Sequence, residues 1–166
     1  MSWAIWITGP PGSGKTTLAR GVAAALEARG ITARVLELDE IRKVLTPAPA
    51  YSETEREIVY RALACMAKLL TEAGVPVIVD ATGHRRAWRE LARSLIPAFA
   101  EVELLCPPGV DVPYEVSLRA ELHLNTDECD LWTQIQEVLY VVRRLSRVAV
   151  SQERRLQRRF VYRTAP

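Results

Sequence analysis

Cysteine and histidine are scarce in this chain, and it has no long apolar run. Three cysteines, Cys65, Cys106 and Cys129, stand among 166 residues. They are odd in number and lack the paired spacing of a metal site, so reduced thiols in or near a core are expected. His84 and His123 stand singly and read as ordinary loop and strand residues without partners. No apolar run approaches the length that spans a bilayer, so no membrane part is expected. The first residues, Met1 to Ile7, carry no basic region and meet a Gly-Pro turn too early for a secretory signal. These absences point to a cytoplasmic protein. About half the residues are hydrophobic (49%) and a quarter charged (25%), which suits one ordinary globular domain.

Acidic residues are nearly missing from one stretch. Residues 143–163 hold eight arginines against Glu153 alone, whereas the rest of the chain has fourteen basic and nineteen acidic residues. The net charge of +2 thus joins a body of −5 to a tail of +7. Such a tail can meet nucleic acid, an anionic surface or its own acidic body. No aromatic pattern interleaves with the arginines of that stretch, so a solvated or self-docked helix is expected, with nucleic acid left open.

What is present is an alternation of strand-like and helix-like segments, the pattern of a parallel sheet with crossover helices. Trp3–Thr8 reads as a strand buried on both faces, followed by a helix from Lys15 to Gly30 with the glycine at C′. Ala33–Leu38 reads as a second strand ending at Asp39, then a short helix from Glu40 to Leu45, stopped by Pro47 and Pro49. Ser52 caps a long helix, and Glu55 completes a capping box. Val77–Asp80 is a third strand, Arg85–Ile96 a helix, Val102–Leu105 a fourth strand and Glu121–Asn125 a fifth. Asp127 or Asp130 caps a last helix whose apolar face holds Leu131, Ile135, Val138, Leu139 and Val142. The expected fold is α/β in three layers, a five-stranded, mainly parallel sheet with helices on both faces. Residues 1–145 form its body and 146–166 an arginine-rich C-terminal tail.

Residues 9–17 read Gly9-Pro10-Pro11-Gly12-Ser13-Gly14-Lys15-Thr16-Thr17. Gly9, Gly14, Lys15 and Thr16 satisfy G-x-x-x-x-G-K-[ST] between a strand and a helix, the setting a nucleotide-binding phosphate loop requires. Glycines let successive backbone N–H groups close around the β-phosphate, and the helix N-terminus adds its positive end. Lys15 reaches the β- and γ-phosphates of ATP, and the Thr16 hydroxyl is a Mg²⁺ ligand. The fold is therefore expected to be that of the P-loop NTPases and the protein an ATP-dependent kinase. Asp39 and Asp80 close the second and third strands, where an open α/β sheet places its chemistry. Either can accept a proton from an attacking hydroxyl or assist the metal; Asp39 is assigned to catalysis and substrate, Asp80 to the metal. Arg42 and Arg56 suit the anionic groups of a small hydroxyl-bearing substrate through their bidentate fork. Arg85, Arg86, Arg89 and Arg93 open the fourth helix and read mostly as surface residues.

At this point the residues resemble the adenylylsulfate kinase family, whose members phosphorylate the 3′-hydroxyl of adenosine 5′-phosphosulfate with ATP and Mg²⁺ in sulfate assimilation. Leu36-Glu37-Leu38-Asp39-Glu40-Ile41-Arg42 is similar to that family's L-D-G-D-x-[IV]-R, with Glu37 and Leu38 departing. Tyr51-Ser52-Glu53-Thr54-Glu55-Arg56 resembles its F-S-x-x-D-R. The resemblance implies that Tyr51 flanks the substrate's adenine and Arg56 meets its anionic end. Three departures stand out: Val59 where the family has Asn, Thr82-Gly83-His84 where it has I-S-P with a phosphoserine position, and Pro107-Pro108-Gly109 where it has a cationic lid. The link between the fourth and fifth strands is accordingly expected to be a plain surface loop. Two rival readings stay open: a kinase of another small hydroxyl or polynucleotide substrate, and a catalytically weak ATP-binding module. A homodimer is possible.

Overall fold

The computed structural model describes residues 1–105 and 113–161, with side chains through Glu153. Five strands form one sheet, β1 (Ala4–Thr8), β2 (Arg34–Glu37), β3 (Val77–Asp80), β4 (Phe99–Leu105) and β5 (Leu122–Asn125). Their order is β2-β3-β1-β4-β5, and every pairing is parallel. The helices are α1 (Lys15–Glu27), α2 (Leu38–Leu45), α3 (Glu53–Glu72), α4 (Arg86–Leu95) and α5 (Leu131–Val161).

The two-residue period of β1 sorts its side chains into two cores. Ile5 and Ile7 face α1 and α5, packing with Leu18, Val22, Leu26, Val138 and Val142. Ala4 and Trp6 face α3 and α4, packing with Val59, Leu63, Val79 and Trp88. The Trp6 indole, fully buried, donates to Ala81 O at 3.0 Å, as a buried N–H must. Gly21 lets α1 and α5 touch, because a Cβ there would stand 2.7 Å from Ile135 Cδ1.

Several boundaries differ from the sequence reading. The first helix ends at Glu27, and Gly30 turns left-handed (φ 75°) two residues beyond the Ala28 cap. β2 stops at Glu37 and α2 starts at Leu38, so Asp39 sits in a helix's first turn, where a carboxylate suits the dipole. β4 begins at Phe99, three residues before expectation. Ser52 caps α3 by accepting from Glu55 N at 3.2 Å. The Glu55 carboxylate, however, accepts from Ala50 N at 2.6 Å, beyond the residue a capping box would use. Asp130 caps α5, accepting from Thr133 N at 2.8 Å. The division drawn at 145/146 falls inside α5, where Leu145 and Ala149 are buried. Cys65 is exposed on α3 and Cys129 half-buried, so Cys65 is no core residue; Cys106 lies outside the described residues. Among the described residues no helix is long and apolar enough to cross a membrane.

Candidate active site

The loop between β1 and α1 is shaped by three glycines in conformations that side chains avoid. Gly12 (φ 80°) and Gly14 (φ 89°) are left-handed, and a Cβ on Gly9 would meet the β4 backbone, Leu104 O, at 2.7 Å. Gly14 begins α1 with no side-chain cap and no acidic residue in the first turn. The helix thus opens without a side-chain cap, its positive end toward the loop. Lys15 folds over the loop, its Nζ donating to Pro10 O at 2.8 Å and Gly9 O at 3.1 Å. Ser13 is buried beneath with its Oγ unpartnered. Thr17, one turn on, is exposed and lines neither cavity described below.

The Thr16 hydroxyl donates to Asp80 Oδ2 at 2.6 Å, joining the loop to the end of β3. Burial raises the Asp80 carboxyl above the usual carboxylate range, against the Thr16 hydrogen bond and the Lys15 charge, with Glu37 and Asp39 adding to the rise. Around these groups lies a cavity of about 380 Å³, lined by Pro11, Gly12, Lys15, Thr16, Asp39 and Asp80 among others.

A second cavity, of about 360 Å³, is lined by Asp39, Arg42, Tyr51, Arg56, Tyr60 and His84 among others. Pro11, Leu38, Asp39 and Thr82 line both cavities, so the two adjoin and Asp39 stands where they meet. Arg42 lies over the Tyr51 ring (5.2 Å to its centroid) and pairs with Glu55 at 3.4 Å. Arg56 Nε donates to Tyr51 O at 3.0 Å, which helps hold Tyr51 at its positive φ of 53°. Tyr51 itself stays half exposed. All four residues expected to meet substrate thus converge on one cavity. Arg61, further along α3, lies outside this cavity, exposed and paired with Glu57.

Other expectations fail here. Arg89 is fully buried and Arg93 mostly so, against the surface placement expected for the α4 arginines. Arg89 donates to Glu101 at 2.6 Å, to Gly83 O and to Glu115 O; Arg93 pairs with Glu121 at 2.5 Å and Glu101 at 3.6 Å. Glu101 and Glu103 are buried in β4. Each lies among apolar residues, and that intrusion of carboxylates was the one local signal that buried cations had to exist. His84 stands edge-on to Trp88 at 4.6 Å, and burial holds it below the usual histidine range, helped by Arg56. His123 contacts Glu103 at 2.9 Å, so neither histidine is partnerless. Val59, at the family's Asn position, is buried in the core and lines neither cavity.

Of the link between β4 and β5, the stretch 106–112, with Pro107-Pro108-Gly109, lies outside the described residues. The remainder is not a plain surface loop. The Tyr114 hydroxyl donates to Glu103 at 2.8 Å and lies 2.9 Å from Thr8 Oγ1, while Thr8 donates to Thr82 O at 2.6 Å. Glu115 N donates to His84 O at 2.8 Å, and Ser117 N to Glu103 at 2.7 Å. These bonds tie the segment to the floor of both cavities.

Comparison with known proteins agrees with this architecture. The family model described as adenylylsulphate kinase matches residues 1–108. The chain is similar to a probable adenylyl-sulfate kinase of Archaeoglobus fulgidus, 41% identical over 128 residues, covering 74% of this chain and 83% of that protein. A probable adenylyl-sulfate kinase of Pyrococcus abyssi is 40% identical, over 71% of each chain. Among solved structures, the APS kinase of Mycobacterium tuberculosis in complex with AMPPNP and APS superposes with a TM-score of 0.78 at 28% identity, covering 86% of this chain and 98% of that one.

Proposed function

The chain belongs to the adenylylsulphate kinase family, and on that premise we propose that it transfers the γ-phosphate of ATP to the 3′-hydroxyl of adenosine 5′-phosphosulfate. The observation that carries this reading is the pair of adjoining cavities meeting at Asp39, one walled by the glycine loop and the other by arginines and aromatics. Phosphoryl transfer asks for that plan: two anionic substrates held end to end, with a base at the seam.

In this reading Gly9–Thr17 wrap the ATP phosphates with backbone N–H groups. Lys15 exchanges its carbonyl partners for β- and γ-phosphate oxygens. Asp39 accepts the proton of the acceptor hydroxyl. Arg42 and Arg56 bind the anionic end of the acceptor, and Tyr51 offers a ring face to its base. Tyr60 and His84 complete the wall of that second cavity. The Thr16 hydroxyl and the Asp80 carboxylate fit Mg²⁺, since both are hard oxygen donors facing the phosphate cavity. Among the described residues no group of three or more Asp, Glu, His or Cys can hold a metal ion, which suits a cation carried in largely on phosphate and water oxygens. When bound, Mg²⁺ neutralises charge developing on the β- and γ-phosphates.

ADP release, measured with and without adenosine 5′-phosphosulfate, tests the proposal. Acceptor-dependent release is expected. Nucleotide binding with equal, negligible release in both arms would overturn it.

A further inference from the structure

The last helix carries chemistry that the proposed reaction does not use. Its inner face, Val138, Val142, Leu145 and Ala149, is buried against α1 and the sheet. Its outer face holds Trp132 and Tyr140, 70% and 61% exposed, together with exposed Arg143 and Arg147. At about 100° per residue, positions 132, 140, 143 and 147 fall within about 80° of one another and span about 22 Å along the axis. The sequence continues the same register with Arg154 and Arg158. Read over residues 143–163 alone, no aromatic pattern interleaves with the arginines; the helix begins at Leu131, and its first turns supply Trp132 and Tyr140.

Seven arginines of the body, Arg20, Arg42, Arg61, Arg85, Arg89, Arg93 and Arg119, pair with carboxylates. Those pairs also occupy Glu37, Glu53, Glu55, Glu57, Glu90, Glu101 and Glu121 on the acceptor side. Arg143, Arg144 and Arg147 have no carboxylate partner among the described residues; the two acids of α5, Glu137 and Glu153, stand off the stripe, and Glu153 pairs with the Met1 amino group. The exposed acids nearest in sequence, Asp127, Glu128 and Asp130, precede the helix, and Asp130 is engaged as its cap; a contact between copies through such acids is one outcome of the test below. A lipid surface is disfavoured, because an interfacial helix needs its apolar side free and here that side is in the core.

We propose that the outer face of α5 binds single-stranded nucleic acid, with Trp132 and Tyr140 stacking on bases and Arg143 and Arg147 meeting phosphates. Unstacked bases offer ring faces that a duplex keeps covered, and an arginine row with flanking aromatics is what a single strand requires. The inference is independent of the kinase reading, since none of these residues lines either cavity.

The test is fluorescence anisotropy of the full chain with labelled oligouridylate and oligothymidylate of about 20 nucleotides, longer than one such face needs. Binding that weakens as salt rises is expected. R143A/R147A should flatten the slope of log K against log salt by about 1.4, two phosphate contacts at about 0.7 each. W132A/Y140A should weaken binding about tenfold or more with little change in slope. Thermal melts check that the variants fold. No binding at low salt by the folded chain would overturn the proposal. So would a duplex competing as well as the single strand with W132A/Y140A unaffected, which means polyanion attraction alone. Sedimentation showing a dimer that R143A/R147A dissolves would also overturn it, making the face a contact between copies.

Discussion

Lys15 spans two carbonyls of its own loop, and ATP must replace both bonds with charged phosphate oxygens. Hydrogen bonds between charged partners are the stronger kind, so Lys15→Ala is expected to weaken ATP binding about tenfold or more, read by titration calorimetry with Mg²⁺. Asp39 touches both cavities but not the loop's cradle of N–H groups, so Asp39→Asn should lower kcat by about 10²–10⁴-fold while nucleotide Kd changes little. If affinity falls while turnover survives, the base is elsewhere. Asp80 offers a test without any ligand. Burial raises its folded pKa, so its ionised form burdens the fold above that pKa, and the burden disappears as pH falls below the ordinary carboxylate range. Asp80→Asn should therefore raise Tm at pH 7 in chelator-treated buffer and lose that advantage near pH 4; thermal unfolding at the two pH values decides. The loop, Asp80 and the Arg42–Tyr51–Arg56 group were legible in sequence because each rests on a local pattern. Tyr60 bears no such pattern, and Leu38, Thr82 and His84 stand where this chain departs from the family's motifs: that they line the cavities comes only from packing.

Helix α4 shows what local reading misses. Three of its arginines, Arg85, Arg86 and Arg89, stand in or beside its first turn, whereas Arg93, expected there too, lies in the last; nothing within a few residues marks Arg89 or Arg93 as buried. Their partners come from β4, from Glu121 before β5, and from the carbonyls of Gly83 and Glu115, brought near by the sheet order alone. The same blindness hid the first half of β4, since Glu101 and Glu103 lend it the look of a half-exposed segment. Removing Arg89 leaves a buried carboxylate with only Arg93 beside it. Arg89→Met is expected to destabilise the protein by about 3–5 kcal/mol, and R89M/E101Q to recover part of that loss. Urea unfolding of the two variants beside wild type makes the comparison.

At the scale of the whole molecule, the site has a floor and two walls. The family resemblance implies a cationic lid over the substrates, and Pro107-Pro108-Gly109 occupies that place in this sequence. A lost charge contact to a transferring phosphoryl group costs about 10²-fold or more, so turnover at least that much slower than a lid-bearing relative is expected, with ATP affinity similar. Steady-state rates under matched Mg²⁺ and salt test it; equal rates would mean that a cation from elsewhere in the chain does the same work. The strand order has a consequence of another kind, in time. β1 precedes the other four strands of its sheet in the sequence and lies in the middle of that sheet, pairing with β3 at Val77–Asp80 and β4 at Phe99–Glu103. At roughly 5–20 residues per second of synthesis, its Ala-Ile-Trp-Ile run waits about 5–20 s for the second of those neighbours. During that interval the apolar centre of the future sheet is open to any strand that reaches it, so a holding chaperone acting before residue 103 leaves the ribosome is expected to raise the yield of folded chain.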